Sequence, residues 1–424
     1  MARLKQALQL RQLAQRLAAS DETAASHPAL VFSALAKLQK ARPRLIAGLR
    51  SQWGEQTVKR LQHPKLMLWK TLATPNQAST ETNNTLLQAI QDTEAWKQSQ
   101  ASQQQRDAQL ARQPWNHRAR LEKADRLIQQ LDQQLHEHNR AKLFFWHHYD
   151  ALGFLPRSWR HILEALRRRG WIVVVSSSDL NHASQQQLEQ AGCIISERKN
   201  LGLCLGAYRD FCCLLNEHKY LCNQVQTLVL CNDSTLPIGG HEPFCNDVDS
   251  ITNNLRNDSG QMAGLTDSVQ TNAYHIQTYF LAINACLLQD DCWPQFWEML
   301  NPYGDKDDLI QRGEVGLSQW LLKQGISINS RYSLASILLS QDGANPELND
   351  LDLRQPKEVN TTLMCWKALL KAGFPLIKKQ LLLDPPHFLP RAIPMSELSQ
   401  HLNEKDQHLR NDLEQLMKSR FFKL

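Results

Sequence analysis

Three short runs with apolar residues at nearly every position constrain this chain more than any other feature: residues 142–146 (KLFFW), 171–175 (WIVVV) and 227–231 (TLVLC). Each is far too short to span a membrane and reads as a strand buried on both faces. Residues 156–169 between the first two follow a helix pattern with Pro156 in its first turn. A second helix is expected over 184–191, a strand over 193–196, a glycine-containing loop over 200–206 and a helix over 207–215. Strands alternating with helices in this way predict a mostly parallel sheet with helices on both faces. Open sheets of this kind bind ligands beyond the C-terminal ends of their strands. The third run ends there on Asn232-Asp233-Ser234, three side chains that carry oxygen.

The flanking regions read differently. Residues 1–140 are rich in Gln, Ala, Leu, Lys and Arg and carry apolar positions at helical spacing, as in Leu121, Ala124, Leu127, Leu131 and Leu135. They are expected to form an α-helical accessory region, with the nearly stripe-free segment 97–113 as a divider. Beyond Ser234 the alternation loosens. Strands are expected over 262–266 and 274–280, and helices over 293–300, 308–324 and 362–372, followed by the segment 374–383 and a charged C-terminal helix. In 274–280 (YHIQTYF) a period of two places His275, Gln277 and Tyr279 on one face.

With 424 residues and 42% hydrophobic content the chain can bury a sizeable core. No apolar stretch is long enough to cross a membrane, and the N-terminus is an amphipathic helix pattern without the apolar region of a signal peptide. A cytoplasmic protein is expected. Ten cysteines without a C-x-x-C pair, most inside apolar runs, fit reduced core thiols better than zinc ligands or disulfides. The net charge of +6 is modest, although basic residues gather between Arg118 and Arg169. That cluster is compatible with phosphates, an anionic membrane face or, as the weakest reading, nucleic acid.

Eight motifs follow one another in order: HHYD from 147, SSSD from 176, ERKNLGLCLGAY from 197, NDS from 232, GLT from 264, HIQTYF from 275, EVGLS from 314 and WKALLKAGFPLIKKQLL from 366. In that order they resemble the rhamnan synthesis protein F family, bacterial glycosyltransferases that assemble rhamnose-containing polysaccharides and lipopolysaccharide chains. The resemblance covers residues 141–388. It implies an α/β fold of the glycosyltransferase A-type, a nucleotide-sugar-binding mixed sheet flanked by helices. The transferase domain would span 141–345, with 346–424 a helical extension that completes it. The implied reaction moves rhamnose or a related sugar from a nucleoside-diphosphate donor to a glycan or lipid-linked acceptor, at the inner face of the plasma membrane. Nucleic acid is not an expected partner, and the N-terminal helices could serve oligomerisation.

In that architecture His147, Tyr149 and Asp150 sit where base and ribose rest, with Ser176 at the next rim position. Arg198 would neutralise diphosphate, while Asn200 and Gly202 let the backbone approach the donor. Asn232, Asp233 and Ser234 complete the donor set, with Lys378 and Lys379 able to reach the diphosphate. Asp233 is the candidate ligand of a divalent cation, Mg²⁺ or Mn²⁺, which is compatible with this motif but not assured: A-type enzymes usually carry two acids there. Glu314 would be the catalytic base and Asp267 the alternative, with His275, Gln277 and Tyr279 facing the acceptor. The family pattern has an acid where this chain has Cys204. A competing reading is therefore a transferase fold kept as a binding or scaffold component of glycan assembly. Each motif also has an ordinary structural use, as a turn, a helix cap or packing.

Overall fold

The computed structural model describes residues 121–421, except 122, 138–140, 151–152, 179, 200, 304–305, 340–358 and 384–392. Most of the expected helical region 1–140, including its 97–113 divider, lies outside the described residues. The described residues belong to two compact units. One comprises Arg106–Leu265, Ile276–Arg331 and Gly373–Leu424; the other includes Thr266–His275 and Tyr332–Ala372.

In the first unit, α1 (Ala124–His136) buries Leu127, Leu131 and Leu135, a stripe repeating every four residues. The expected alternation then follows. It runs β1 (Ala141–His148), α2 (Arg157–Arg168), β2 (Trp171–Ser177), α3 (His182–Gln190), β3 (Ile194–Glu197), α4 (Leu203–Glu217), β4 (Val225–Asn232) and the short β5 (Thr235–Pro237). After α5 (Glu242–Asn253) come β6 (Gln261–Ser268), whose residues from Thr266 belong to the second unit, β7 (His275–Ile276), of which His275 does, then β8 (Phe280–Asn284), α6 (Cys292–Met299) and α7 (Gly316–Lys323). β9 (Ser327–Tyr332) follows. The sheet order is β3-β2-β1-β4-β8-β6-β7, with β9 on β6. β1 pairs in parallel with β2 and β4, and β2 with β3, whereas β8 is antiparallel to both β4 and β6. The protein is thus an α/β fold with a mixed, mostly parallel sheet flanked by helices, as expected.

The apolar runs are apolar throughout because both faces of the sheet are covered. Phe145 stacks on Phe211 of α4 with ring centroids 4.3 Å apart. On the opposite face Trp146 lies 5.2 Å from Trp159 of α2, and Phe144 meets Phe244 of α5 edge-on. All ten cysteines are free. Burial pushes the thiols of Cys193, Cys213, Cys245 and Cys365 up to about 12, in keeping with inert core residues. Arg169 in the basic triplet is held by Glu242, Asn246 and Asp249, and Arg167 by Gln134 and the Trp171 carbonyl. No helix among the described residues is long and apolar enough to cross a membrane.

Two expected elements are broken. The strand over 274–280 is two strands separated by a turn, and residues 275–280 are buried throughout. No polar face meets water there. The helix over 308–324 is a short helix, Lys306–Leu309, then a π turn, Ile310–Val315, then α7.

The C-terminal part is bound into the first unit. β10 (Leu376–Lys378) pairs antiparallel with β5. The last helix, α8 (Gln407–Phe421), packs on α2, whose first residue follows Pro156 and has no capping side chain of its own. Asp412 of α8 supplies the cap. Its carboxylate accepts the Arg157 and Ser158 N–H groups, each at 2.8 Å, and the Ser158 hydroxyl at 2.5 Å. Asp412→Ala strands these donors and is expected to lower stability by about 1–3 kcal/mol. The change would appear as a lower denaturant midpoint with an unchanged slope; an unmoved midpoint would show that the cap contributes nothing.

Candidate active site

Register aligns the ends of the parallel strands. His147 on β1 is level with Ser176 on β2 and Asn232 on β4, and Ser176 is level with Ser196 on β3. All four side chains are buried. His147 Nδ1 and the hydroxyls of Ser176 and Ser196 have no hydrogen-bond partner among the described residues. His148 faces the other way and is fully engaged, with Nδ1 3.1 Å from Ser177 Oγ and Nε2 2.9 Å from the Phe154 carbonyl. Burial, reinforced by Arg198, pushes His147 down to about 3. Burial also lowers His148, so both imidazoles are neutral near pH 7.

β4 ends in an Asx turn: the Asn232 side-chain oxygen accepts the Ser234 N–H at 2.9 Å. The Asp233 N–H extends the ladder to the His147 carbonyl at 3.1 Å. β5 then leaves the turn, and its pairing with β10 returns two lysines to it. Lys379, 146 residues beyond Asp233, places Nζ 2.9 Å from Asp233 Oδ2, and its backbone N–H donates to the Ser234 carbonyl at 2.9 Å. Lys378 Nζ lies 3.0 Å from Ser234 Oγ and 4.4 Å from the centroid of the Tyr279 ring, a cation–π contact. Burial opposes ionisation of Asp233, but Lys379 and then His148 outweigh it and hold the carboxyl below its usual range. Burial lowers Lys378 to about 8, against an opposing pull from Glu314.

Glu314 lies in the π turn. Its Oε2 accepts the Thr278 N–H at 2.6 Å and the Thr278 hydroxyl at 2.7 Å. Such turns recur at functional sites because the extra residue re-aims a side chain. The preceding Gly313 has a steric reason: a Cβ there would stand 2.3 Å from Leu205 Cδ1, so a larger residue would force the Leu205 side chain of α4 to move. Burial and then the charge of Glu314 raise the Cys204 thiol to about 11, with Lys378 and Asp233 acting on it more weakly. Glu314, Lys378, Cys204 and Asp233 therefore share one electrostatic environment. The segment 277–279 ties it together, since the Tyr279 carbonyl also accepts the Asn232 N–H at 3.1 Å.

The other expected site residues are placed as follows. Tyr149 is exposed at the rim, and its N–H lies 3.4 Å from Asp233 Oδ2. Asp150 accepts the Phe154 N–H at 3.1 Å. Arg198, expected on the diphosphate, is instead fully buried and paired with the equally buried Asp210 at 2.9 Å. Gly202 is left-handed (φ 72°), and a Cβ would meet Pro302 at 2.7 Å, so packing explains it. Asn200 lies outside the described residues. Gln277 and Tyr279 are buried rather than arrayed on an open strand face. Asp267 and His275 belong to the second unit. There Asp267 accepts the Leu334 N–H at 2.7 Å and the Tyr274 hydroxyl at 3.4 Å, while His275 Nδ1 contacts the Ala273 carbonyl at 2.8 Å. Sequence reasoning missed Thr278, the residue that holds Glu314; the alternation in YHIQTYF puts it on the opposite face from the expected row.

The uncharacterized protein y4gN of Sinorhizobium fredii is 25% identical over 193 residues, 45% of this chain and 48% of that protein. The chain thus spans about half the length of that relative. The virulence protein VirA of Vibrio anguillarum is 25% identical over 236 residues, 52% of this chain and 72% of the relative. The sequence model described as Rhamnan synthesis protein F matches residues 172–402 and takes in β2 to β10, the Asn-Asp-Ser turn, Glu314 and both lysines. With more than half of its residues matched, the chain belongs to the rhamnan synthesis protein F family.

Proposed function

We propose that this protein is a glycosyltransferase that moves rhamnose or a related sugar from a nucleoside-diphosphate donor to a hydroxyl of a growing cell-surface polysaccharide or lipopolysaccharide chain. The convergence of Glu314, Lys378, Lys379 and Asp233 at the ends of the parallel strands carries this reading, and membership of a rhamnan synthesis family supports it. Transfer forms a bond between the acceptor oxygen and the anomeric carbon and breaks the bond from that carbon to the diphosphate. Glu314 takes the proton of the attacking hydroxyl. Both Thr278 donors are on Oε2, which stabilises the carboxylate and fixes its plane. The charge that develops on the departing diphosphate faces the two ammonium groups. The acceptor is carried on a lipid at the inner face of the plasma membrane.

A panel of nucleotide sugars, assayed for transfer and for slow hydrolysis, tests the reading. Glu314→Gln is expected to lower turnover by about 10²–10⁴-fold while nucleoside diphosphates still bind, because the lost group acts on the proton in flight. Equal turnover in Glu314→Gln and wild type would remove Glu314 as the base. The lysines make a second prediction, on pH. If donor affinity needs the Lys378 ammonium, it should weaken as pH rises through about 8, and Lys378→Arg should abolish that fall. The effect on folding has the opposite sense. The folded value lies below that of an ordinary lysine, so the unfolded chain holds this proton more tightly; Lys378 disfavours folding below about pH 8, and the penalty fades as pH rises further. Isothermal titration with nucleoside diphosphates across that range reads the first effect, and denaturation of Lys378→Met beside wild type reads the second.

A further inference from the structure

We propose that the donor diphosphate is held by the ammonium groups of Lys378 and Lys379 in place of a divalent cation, an inference that rests on the transferase reading above. An A-type sheet implies a cation at the strand end, but three of the oxygens offered there already accept hydrogen bonds. Asn232 Oδ1 accepts the Ser234 N–H, Ser234 Oγ accepts from Lys378 Nζ, and Asp233 Oδ2 is 2.9 Å from Lys379 Nζ. A divalent ion on Asp233 Oδ2, at about 2.0–2.6 Å, would stand beside an ammonium that touches the same oxygen. Two like charges within about 4 Å repel strongly in a half-buried setting.

Among the described residues the groups nearby offer little to offset that repulsion: the unpartnered His147 Nδ1 is a single neutral nitrogen. Both nitrogens of His148 are engaged, and Asp150 Oδ1 accepts the Phe154 N–H. Among the described residues no three His, Cys, Asp or Glu side chains are placed to hold a metal ion. The residues present therefore do not fit a cation. They do fit an anion. Each ammonium has three donors, and the contacts with Asp233 and Ser234 occupy one apiece. The carboxylate of Asp233 and the ring of Tyr279 hold the two nitrogens in place, and the β5–β10 pairing fixes the backbone beneath them. Asp233 is then the counter-ion that positions Lys379, rather than a metal ligand.

Isothermal titration of the full chain with UDP, GDP, dTDP and inorganic pyrophosphate, in EDTA and again in Mn²⁺, tests this, with thermal melting of each variant as the check on folding. Affinities are expected to agree within about twofold between the two buffers. Lys379→Gln should weaken binding by about tenfold or more, whereas Lys379→Arg, which keeps the charge, should stay within about threefold. Asp233→Asn keeps a side-chain oxygen to position the Lys379 ammonium while removing the competing negative charge, and should bind at least as tightly as wild type; a cation site would lose its ligand and its affinity. Binding seen only with Mn²⁺, or lost in a folded Asp233→Asn, overturns the inference and leaves the transferase reading standing. Binding in neither buffer overturns both.

Discussion

β1 is buried on both faces and hydrogen-bonded along both edges, and this double confinement governs the rest of the first unit. Aromatic side chains cover it from α4 on one side and from α2 and α5 on the other. A strand so enclosed cannot shift by one residue without moving each of these rings to the wrong face. Its register therefore sets where β2 and β4 end. Those ends set the level at which His147, Ser176 and Asn232 stand.

Charge inside this frame is handled in two ways. Arg198 and Asp210 form a closed pair with no exposed side-chain surface, and removing either would leave the other buried and uncompensated. Lys379 and Asp233 form a pair that keeps contact with solvent, and Lys378 stands beside it against an aromatic face. The first pair shapes the loop that leads into α4. The second stands at the Asn-Asp-Ser turn, at the ends of the parallel strands.

Glu314 depends on departures from regular helix geometry. A continuous helix from 308 would place its carboxylate elsewhere on the cylinder; the π turn re-aims it, and Gly313 admits the turn against Leu205. Thr278 then anchors the carboxylate through its backbone and its hydroxyl. Three segments distant in sequence, 277–279, 313–314 and 378–379, meet around the Asn-Asp-Ser turn.

Much of this was legible in the amino-acid order. Apolar runs such as WIVVV announce strands covered on both faces, because an exposed face would alternate with polar residues. Pro156, the helix spacings between the strands and the abrupt stop at Asn232 then specify the alternation and the side of the sheet where chemistry belongs. The order of the motifs identifies the family. Local pattern carries no record of partners far along the chain, however. Arg198 reads as a phosphate ligand until Asp210 is found beside it, and YHIQTYF reads as one strand with a row of hydrogen-bonding groups until its turn and its burial are seen. FPLIKKQLL offers two lysines able to reach a diphosphate but does not say what would aim them; pairing with β5 makes its first part a strand and turns both lysines onto the Asn-Asp-Ser turn. The sequence by itself determined the alternating strands and helices from β1 to β4 and where those strands end, because periodicity and turn chemistry are local. Tertiary structure alone decided which charges neutralise one another and which gather at the strand ends, because that depends on distances of a few ångströms between residues up to 146 positions apart.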